Sequence, residues 1–227
     1  MILTKICLLP KALQNNLSFN IEKSHFYGGD FSHYKLKYLK KIQARRFPLL
    51  HKVAIDLILN EDFLNDVEEI VHSSQHGELN TSDELITSIL KQEALSPNKF
   101  SQSTHNSLVS NLSILAQKKI PITSLSAGAK SFSMGLLSSL TKLKSKEEDG
   151  QAKAKLLYLF TEAAVPAKYE QVVKSSNFII ALVLSLGNDY HCHLHTDQSR
   201  EDEIKSFTHW DKITDLHLGQ LRLERNL

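Results

Sequence analysis

One turn of the sequence has the composition of a nucleophile elbow, a sharp bend between a strand and a helix that presents one side chain for covalent catalysis. Ser126, Ala127 and Gly128 follow the short, β-prone segment 121–125, and a helical pattern comes after them. Small neighbours let the backbone bend that sharply, and a helix N-terminus below the bend stabilises negative charge. The side chain that this turn offers for such chemistry is the hydroxyl of Ser126.

A serine hydroxyl attacks an ester or thioester well only when a neighbouring base takes its proton. The nearest histidine in sequence is His105, just before the helix that leads to the elbow strand. A Ser126–His105 pair would make the chain a serine-dependent acyltransferase or thioesterase. The alternative, which we favour, is that His105 lies between Thr104 and Asn106 to cap or pack the start of that helix, a role that needs no catalysis.

A second cluster of reactive side chains, His191, Cys192, His193 and His195, lies near the end of the chain, with Asp197 beyond it. Alternate residues of a strand share a face, so three imidazoles there could converge on zinc or another transition metal. Four-coordinate metal sites usually take their ligands from separated elements. We therefore favour a histidine-rich surface segment and expect no bound metal or other cofactor.

The elements that would position the elbow alternate between strands and helices. Apolar runs at 156–160 and 178–186 predict strands that are covered on both faces. The alternation favours an α/β fold, a mixed β-sheet layered with helices. Shorter strands are predicted at 2–9, 69–73 and 121–125, helices at 34–46, 48–59, 82–92, 104–117 and from the elbow through 143, and loops at 17–34 and 144–155.

Composition narrows the class of protein. The chain has 227 residues, of which 41% are hydrophobic, and its 27 basic and 25 acidic side chains leave a net charge of +2. This is typical of one globular domain, and it provides no field that would attract nucleic acid or an anionic membrane. No apolar run approaches the roughly 20 residues that span a bilayer. Cys7 and Cys192 lie far apart, and Lys5 and Pro10 interrupt the apolar start, so we expect a cytoplasmic protein.

Two segments carry a resemblance to a known family. The first is LSPNKFSQSTHNS at 95–107, and the second is IPITSLSAG at 120–128. The segments ARR at 44–46 and SSQHGE at 73–78 add to it. Together they resemble the N-terminal β-ketoacyl synthase-like family over residues 5–186.

The resemblance implies half of a thiolase-like fold at residues 1–187, followed by a tail of unknown role at 188–227. It also implies a catalytically silent protein. In an active ketosynthase the elbow carries a cysteine that takes the acyl group from a carrier protein, and two histidines of the second half assist condensation. Here Ser126 or Ala127 occupies the cysteine position, with Gly128 at the bend. The sequence after residue 186 departs from the second half of the family, which carries the two histidines.

The same resemblance implies a partner. Members of the family resemble chain-length factors of aryl-polyene clusters, which pair with an active β-ketoacyl synthase as a heterodimer and meet the acyl carrier protein only indirectly. Apolar side chains of the elbow helix, Phe132 and Met134, would limit chain length, or they are simply core residues, as in any buried helix. The subunit contact is expected at the strand before the elbow, formed by Ile120, Pro121, Ile122, Thr123, Ser124 and Leu125.

Overall fold

The computed structural model describes residues 17–173, 175–194, 215–218 and 221–226. The predicted strand at 2–9, Cys7, His195 and Asp197 lie outside the described residues. The strands are β1 (Leu17–Gly28), β2 (Val67–Ser73), β3 (Ile122–Leu125), β4 (Lys155–Glu162), β5 (Phe178–Leu186), β6 (Tyr190–Leu194), β7 (Asp215–Leu218) and β8 (Leu221–Arg225). The helices are α1 (Lys41–Ala44), α2 (Leu49–Asn60), α3 (Leu79–Leu90), α4 (Pro97–Gln102), α5 (Ser107–Ala116) and α6 (Ser131–Glu148).

The strands form one mixed sheet in the order β3-β2-β4-β5-β1-β6-β8-β7. β3 and β4 run parallel to β2 on its two sides, and the other pairs are antiparallel. The carboxyl ends of β2, β3 and β4 therefore meet at one end of the sheet. The predicted boundary at residue 187 falls between β5 and β6, which are strands of this same sheet.

Two hydrophobic clusters cover the two faces of the sheet. α6 packs on one face with Phe132, Leu136 and Leu140, and α2 and α5 pack on the other. β4 and β5 are buried almost throughout, as their continuous apolar runs predicted. Among the described residues, no helix combines the length and the apolarity that a membrane crossing requires.

The prediction of a loop at 17–34 is wrong, because β1 fills most of it. Inward positions on this strand include Lys23 and His25, and a bulge shifts the register between Ile21 and Lys23. Polar side chains at inward positions and one extra residue disrupt the period-2 pattern that identifies a strand. His25 keeps a partner there, since its Nδ1 lies 2.9 Å from Glu61 Oε2.

The predicted helix at 34–46 is reduced to the four residues of α1. The reason is Asp56, which is fully buried in α2. Its carboxylate accepts hydrogen bonds from the amides of Lys37, Tyr38 and Leu39, at 2.6 to 2.9 Å. Amides bound to this side chain hold the segment in an extended path.

Three smaller predictions at helix ends also fail. The loop expected at 144–155 starts late, because α6 continues to Glu148 with Lys144 and Glu147 paired one turn apart. The helix expected at 82–92 begins three residues earlier, at Leu79. The helix expected at 104–117 begins only at Ser107, as α5, and a separate short helix, α4, precedes it. The Ser96 side chain caps α4 by accepting from the Lys99 amide at 3.3 Å.

Candidate functional site

The elbow lies between β3 and α6, where the sequence placed a strand, a tight turn and a helix. Gly128 has a φ of +59°, a conformation that L side chains rarely adopt. Ser131, the first residue of α6, closes the bend: its Oγ accepts from the Ala127 amide at 2.9 Å and donates to the Gly128 carbonyl at 2.7 Å. The turn is therefore held from inside by the helix that it precedes.

Ser126 is exposed at the start of this turn. Its Oγ donates to the backbone carbonyl of Gln75, 3.1 Å away, in the segment that follows β2. A carbonyl oxygen only accepts hydrogen bonds, so the serine proton points toward a group that does not remove it. This contact orients the hydroxyl without activating it.

His105 does not pair with Ser126 in the structure. Its Nε2 lies 2.8 Å from the Oγ of Ser74, which also accepts the Gly77 amide at 3.0 Å. Burial lowers the pKa of His105 below its ordinary value, with Glu78 acting in the opposite direction. The imidazole lies just before α5 and is packed in the subunit, as the structural alternative predicted.

Around His105 lies a buried cluster of polar side chains that the sequence did not reveal, because its members come from distant elements. His51 of α2 contacts Glu78 at 2.7 Å and Gln102 at 3.2 Å. The His72 ring lies 5.3 Å from the His105 ring, and its Nε2 is 2.8 Å from Thr161 Oγ1. Burial, reinforced by His105 and His51, lowers the pKa of His72 to about 3, so it is neutral at physiological pH.

Glu162, the last residue of β4, holds the segment after β2 from the other side. Its carboxylate accepts the amides of Gln75 at 2.6 Å and His76 at 3.3 Å, and the His76 ring lies 2.9 Å from it. Burial raises the pKa of Glu162, and these donors oppose that rise. The segment is thus tied to β4 through Glu162 and to the elbow through Ser126.

β3, the predicted contact strand, is an edge of the sheet within the described residues, bonded only to β2. The Ile70 amide donates to the Pro121 carbonyl at 2.9 Å and the Ser74 amide to the Leu125 carbonyl at 3.4 Å. Because bonding alternates along a parallel ladder, the backbone groups of Ile122 and Ser124 face outward. The Ser124 hydroxyl is buried and has no hydrogen-bond partner in the described part of the chain.

Phe132 lies on the side of α6 that packs against the sheet. It is 1% exposed and packs against Tyr158 and Phe160, with ring centroids 5.6 and 5.5 Å away. Phe132 is therefore a core residue, which is the second of the two roles that the sequence allows for the apolar side chains of this helix. Met134, by contrast, is partly exposed on the same helix.

The histidines near the end of the chain lie on β6 with different partners. His191 Nδ1 is 2.7 Å from Ser18 Oγ, and His193 Nε2 is 3.4 Å from Glu224 Oε2, with the two rings 6.4 Å apart. In the described ranges no three histidine, cysteine or carboxylate side chains are placed to hold a metal ion. Cys192 faces the core between them, and burial raises its pKa to about 12.

A cavity of about 410 Å³ opens elsewhere, between the start of α2, the segment after β2 and α4. Its lining includes Arg45, Arg46, Glu78 and Lys99, and it does not include the elbow residues. Lys99 is paired with Glu84 at 2.8 Å. The cavity and the elbow are therefore separate features of the surface.

The sheet, the elbow and the helix behind it define a ketosynthase-like domain, and sequence comparison agrees. The model of the β-ketoacyl synthase N-terminal domain matches residues 21–221. The chain belongs to that family. No curated protein sequence matches it.

One solved structure shows the same fold, and two others are less similar. The chain is similar to a chain of the ketosynthase ApeO in complex with its chain length factor ApeC from Xenorhabdus doucetiae, with a TM-score of 0.78, 26% identity, and 92% of this chain and 100% of that chain covered. The ishigamide ketosynthase/chain length factor has a TM-score of 0.45 and 16% identity, with 58% of this chain and 42% of that chain covered. The HMG-CoA synthase PksG from Bacillus subtilis has a TM-score of 0.43 and 13% identity, with 86% of this chain and 51% of that chain covered. The structure of the ApeO–ApeC complex and the family match confirm the predicted fold, half of a thiolase-like fold.

Proposed function

We propose that this chain is a non-catalytic, chain-length-factor-like subunit that pairs with an active β-ketoacyl synthase in fatty-acid or polyketide-type biosynthesis, of the aryl-polyene kind. One observation carries the proposal: the elbow holds no cysteine, and the hydroxyl of Ser126 is bonded to a backbone carbonyl. The position that would carry the nucleophile therefore has no thiol, and among the described residues no base is hydrogen-bonded to it.

The chemistry of condensation explains why these features matter. A ketosynthase needs a nucleophile that becomes acylated by a carrier-bound thioester, and an alcohol does this only with a base in hydrogen-bond reach. The histidine that the sequence offered, His105, is bonded to Ser74. Ser126 remains an exposed, oriented hydroxyl, suited to contact another surface. The acyl group would instead be held on the partner's cysteine, so the carrier protein would meet this subunit only indirectly.

The edge strand supports the choice of partner. Outward amide and carbonyl groups of Ile122 and Ser124 form an open template for a strand from a second subunit. We propose a ketosynthase as that subunit because the structure is similar to a chain of a ketosynthase–chain length factor complex.

Co-expression with a ketosynthase from the same genome tests the proposal. Size-exclusion chromatography with mass determination reports the complex, and an acyl-loading assay on each subunit reports the chemistry. We expect a stable heterodimer that carries the acyl label on the partner alone. A lone monomer contradicts the partner role. Label on this chain, lost in Ser126→Ala, establishes the alternative, a serine-dependent acyltransferase or thioesterase.

A further inference from the structure

A single peptide plane connects the buried Glu162 to the exposed Ser126. The plane joins Gln75 to His76: its N–H donates to Glu162 Oε1 at 3.3 Å, and its C=O accepts from Ser126 Oγ at 3.1 Å. The peptide is trans, so these two groups point in opposite directions. Fixing one side of the plane therefore fixes the other.

The grip of Glu162 on this segment is stronger than one bond. The other carboxylate oxygen accepts the preceding amide, that of Gln75, at 2.6 Å, and the His76 ring adds a third donor at 2.9 Å. Glu162 is 3% exposed, so water does not compete well for these bonds. Charge-assisted bonds to two successive amides prevent the peptide from rotating and carrying its carbonyl away from the elbow.

We propose that Glu162 is the positioning residue of the elbow: through the Gln75–His76 peptide it holds the Ser126 hydroxyl as a donor to the subunit's own backbone. The lone pairs of Ser126 then face outward as hydrogen-bond acceptors. The surface that the elbow presents to a partner is thus an acceptor, and it fits an N–H or O–H donor on the ketosynthase. This assignment of the docking chemistry rests on the proposed function, whereas the coupling from Glu162 to the elbow does not.

The coupling is tested first on the isolated subunit by hydrogen–deuterium exchange. Glu162→Gln places an amide where the two backbone N–H groups need a charged acceptor, and we expect amides of 126–130 to exchange at least about tenfold faster. Glu69→Gln is the matched control. Glu69 is a buried glutamate near the start of β2, at the opposite end of that strand from the elbow, and is paired with Lys142 at 2.5 Å. We expect its substitution to leave exchange at 126–130 unchanged.

His76→Ala provides a milder variant if Glu162→Gln does not fold. The His76 side chain is 16% exposed, and its substitution removes only the third donor to Glu162. We expect a smaller increase in exchange over the same amides. Unchanged exchange at 126–130 in the folded variants overturns the assignment of Glu162.

The second measurement is a double-mutant cycle on the affinity for the ketosynthase, with Glu162→Gln, Ser126→Ala and the combination. Because both residues act through one peptide, the double variant loses little more affinity than the more damaging single variant. Additive losses overturn the shared mechanism. If the wild-type chain binds no ketosynthase while the exchange result holds, the proposed function fails and the positioning role of Glu162 stands.

Discussion

The imidazole of His105 is hydrogen-bonded to Ser74, with Nε2 and Oγ 2.8 Å apart, and Ser74 is itself almost fully buried. The histidine that lies nearest to the elbow in sequence is thus engaged by a serine of another segment. This pair belongs to the scaffold beneath the elbow, and its loss has consequences for stability that the loss of Ser126 does not have.

Ser74→Ala leaves two partly buried groups, His105 Nε2 and the Gly77 amide, without their partner. We expect it to lower the free energy of unfolding by about 1–3 kcal/mol. Ser126→Ala removes an exposed hydroxyl and should change it by no more than about 0.5 kcal/mol. Urea unfolding followed by circular dichroism measures both. Equal effects would show that the Ser74–His105 bond does not stabilise the subunit.

Proline substitutions on β3 separate contact with a partner from the stability of the subunit. The Ser124 amide faces outward, so Ser124→Pro removes no bond to β2 and should retain the fold, while the complex with the ketosynthase is lost. Thr123→Pro removes an amide that faces β2 and should destabilise the subunit itself. Size-exclusion chromatography and thermal unfolding of both variants measure the two effects. A complex that survives Ser124→Pro places the interface elsewhere.

The sequence predicts the elements whose residues have uniform surroundings. β4 and β5 are buried on both faces, so their composition alone identifies them, and the elbow is predicted by its small residues between a strand and a helix. β1 is not predicted, because Lys23 and His25 occupy inward positions around a bulge. The extended backbone of residues 34–40 is not predicted either, because it depends on Asp56, a residue of another element.

The polar cluster below the elbow could not be predicted for the same reason. Its contacts join residues separated by 27 to 89 positions, as in His51 with Glu78 and His72 with Thr161. No local pattern carries such pairings, because they depend on which strands become neighbours in the sheet. A family resemblance points to the segments concerned but not to the bonds between them.

The buried His72 makes stability depend on pH. Its pKa is about 3 in the folded protein, against an ordinary value of 6.5, so the unfolded chain binds the proton first. The stabilising effect is complete above pH 6.5 and is lost as the pH falls toward 3, at about 1.4 kcal/mol per unit. His72→Gln should therefore show a shallower decrease in unfolding free energy between pH 6.5 and 5. Identical slopes in the two proteins would mean that His72 takes up its proton over the same pH range in the folded and the unfolded chain.

The close packing of α6 on the sheet depends on Gly135. A Cβ placed there would lie 2.5 Å from Ser73 Oγ and 2.7 Å from the hydroxyl of Tyr158. Gly135→Ala gains up to about 1 kcal/mol of helix propensity but forces these groups apart, and we expect a net destabilisation of about 1–3 kcal/mol.

The hydroxyl of Tyr158 allows a check on that explanation, because it also donates to the Phe132 carbonyl at 2.6 Å. Tyr158→Phe removes one of the three atoms that the new Cβ would meet, and the ring carbon of residue 158 at 2.6 Å and Ser73 Oγ remain. The combined variant should therefore be less destabilised than the sum of the two single variants in thermal unfolding. Strict additivity would show that α6 shifts by another route.

The one described cysteine, Cys192, offers no route to a covalent acyl intermediate in the native protein. Burial raises its pKa to about 12, so at pH 8 only about one thiol in ten thousand is a thiolate. Iodoacetamide should leave Cys192 unmodified in the native protein at pH 8 and modify it in urea, as mass spectrometry of tryptic peptides would report. Rapid native labelling would show that the thiol becomes exposed. It would also require the acyl-loading assay to be repeated on Cys192→Ser before the subunit is described as silent.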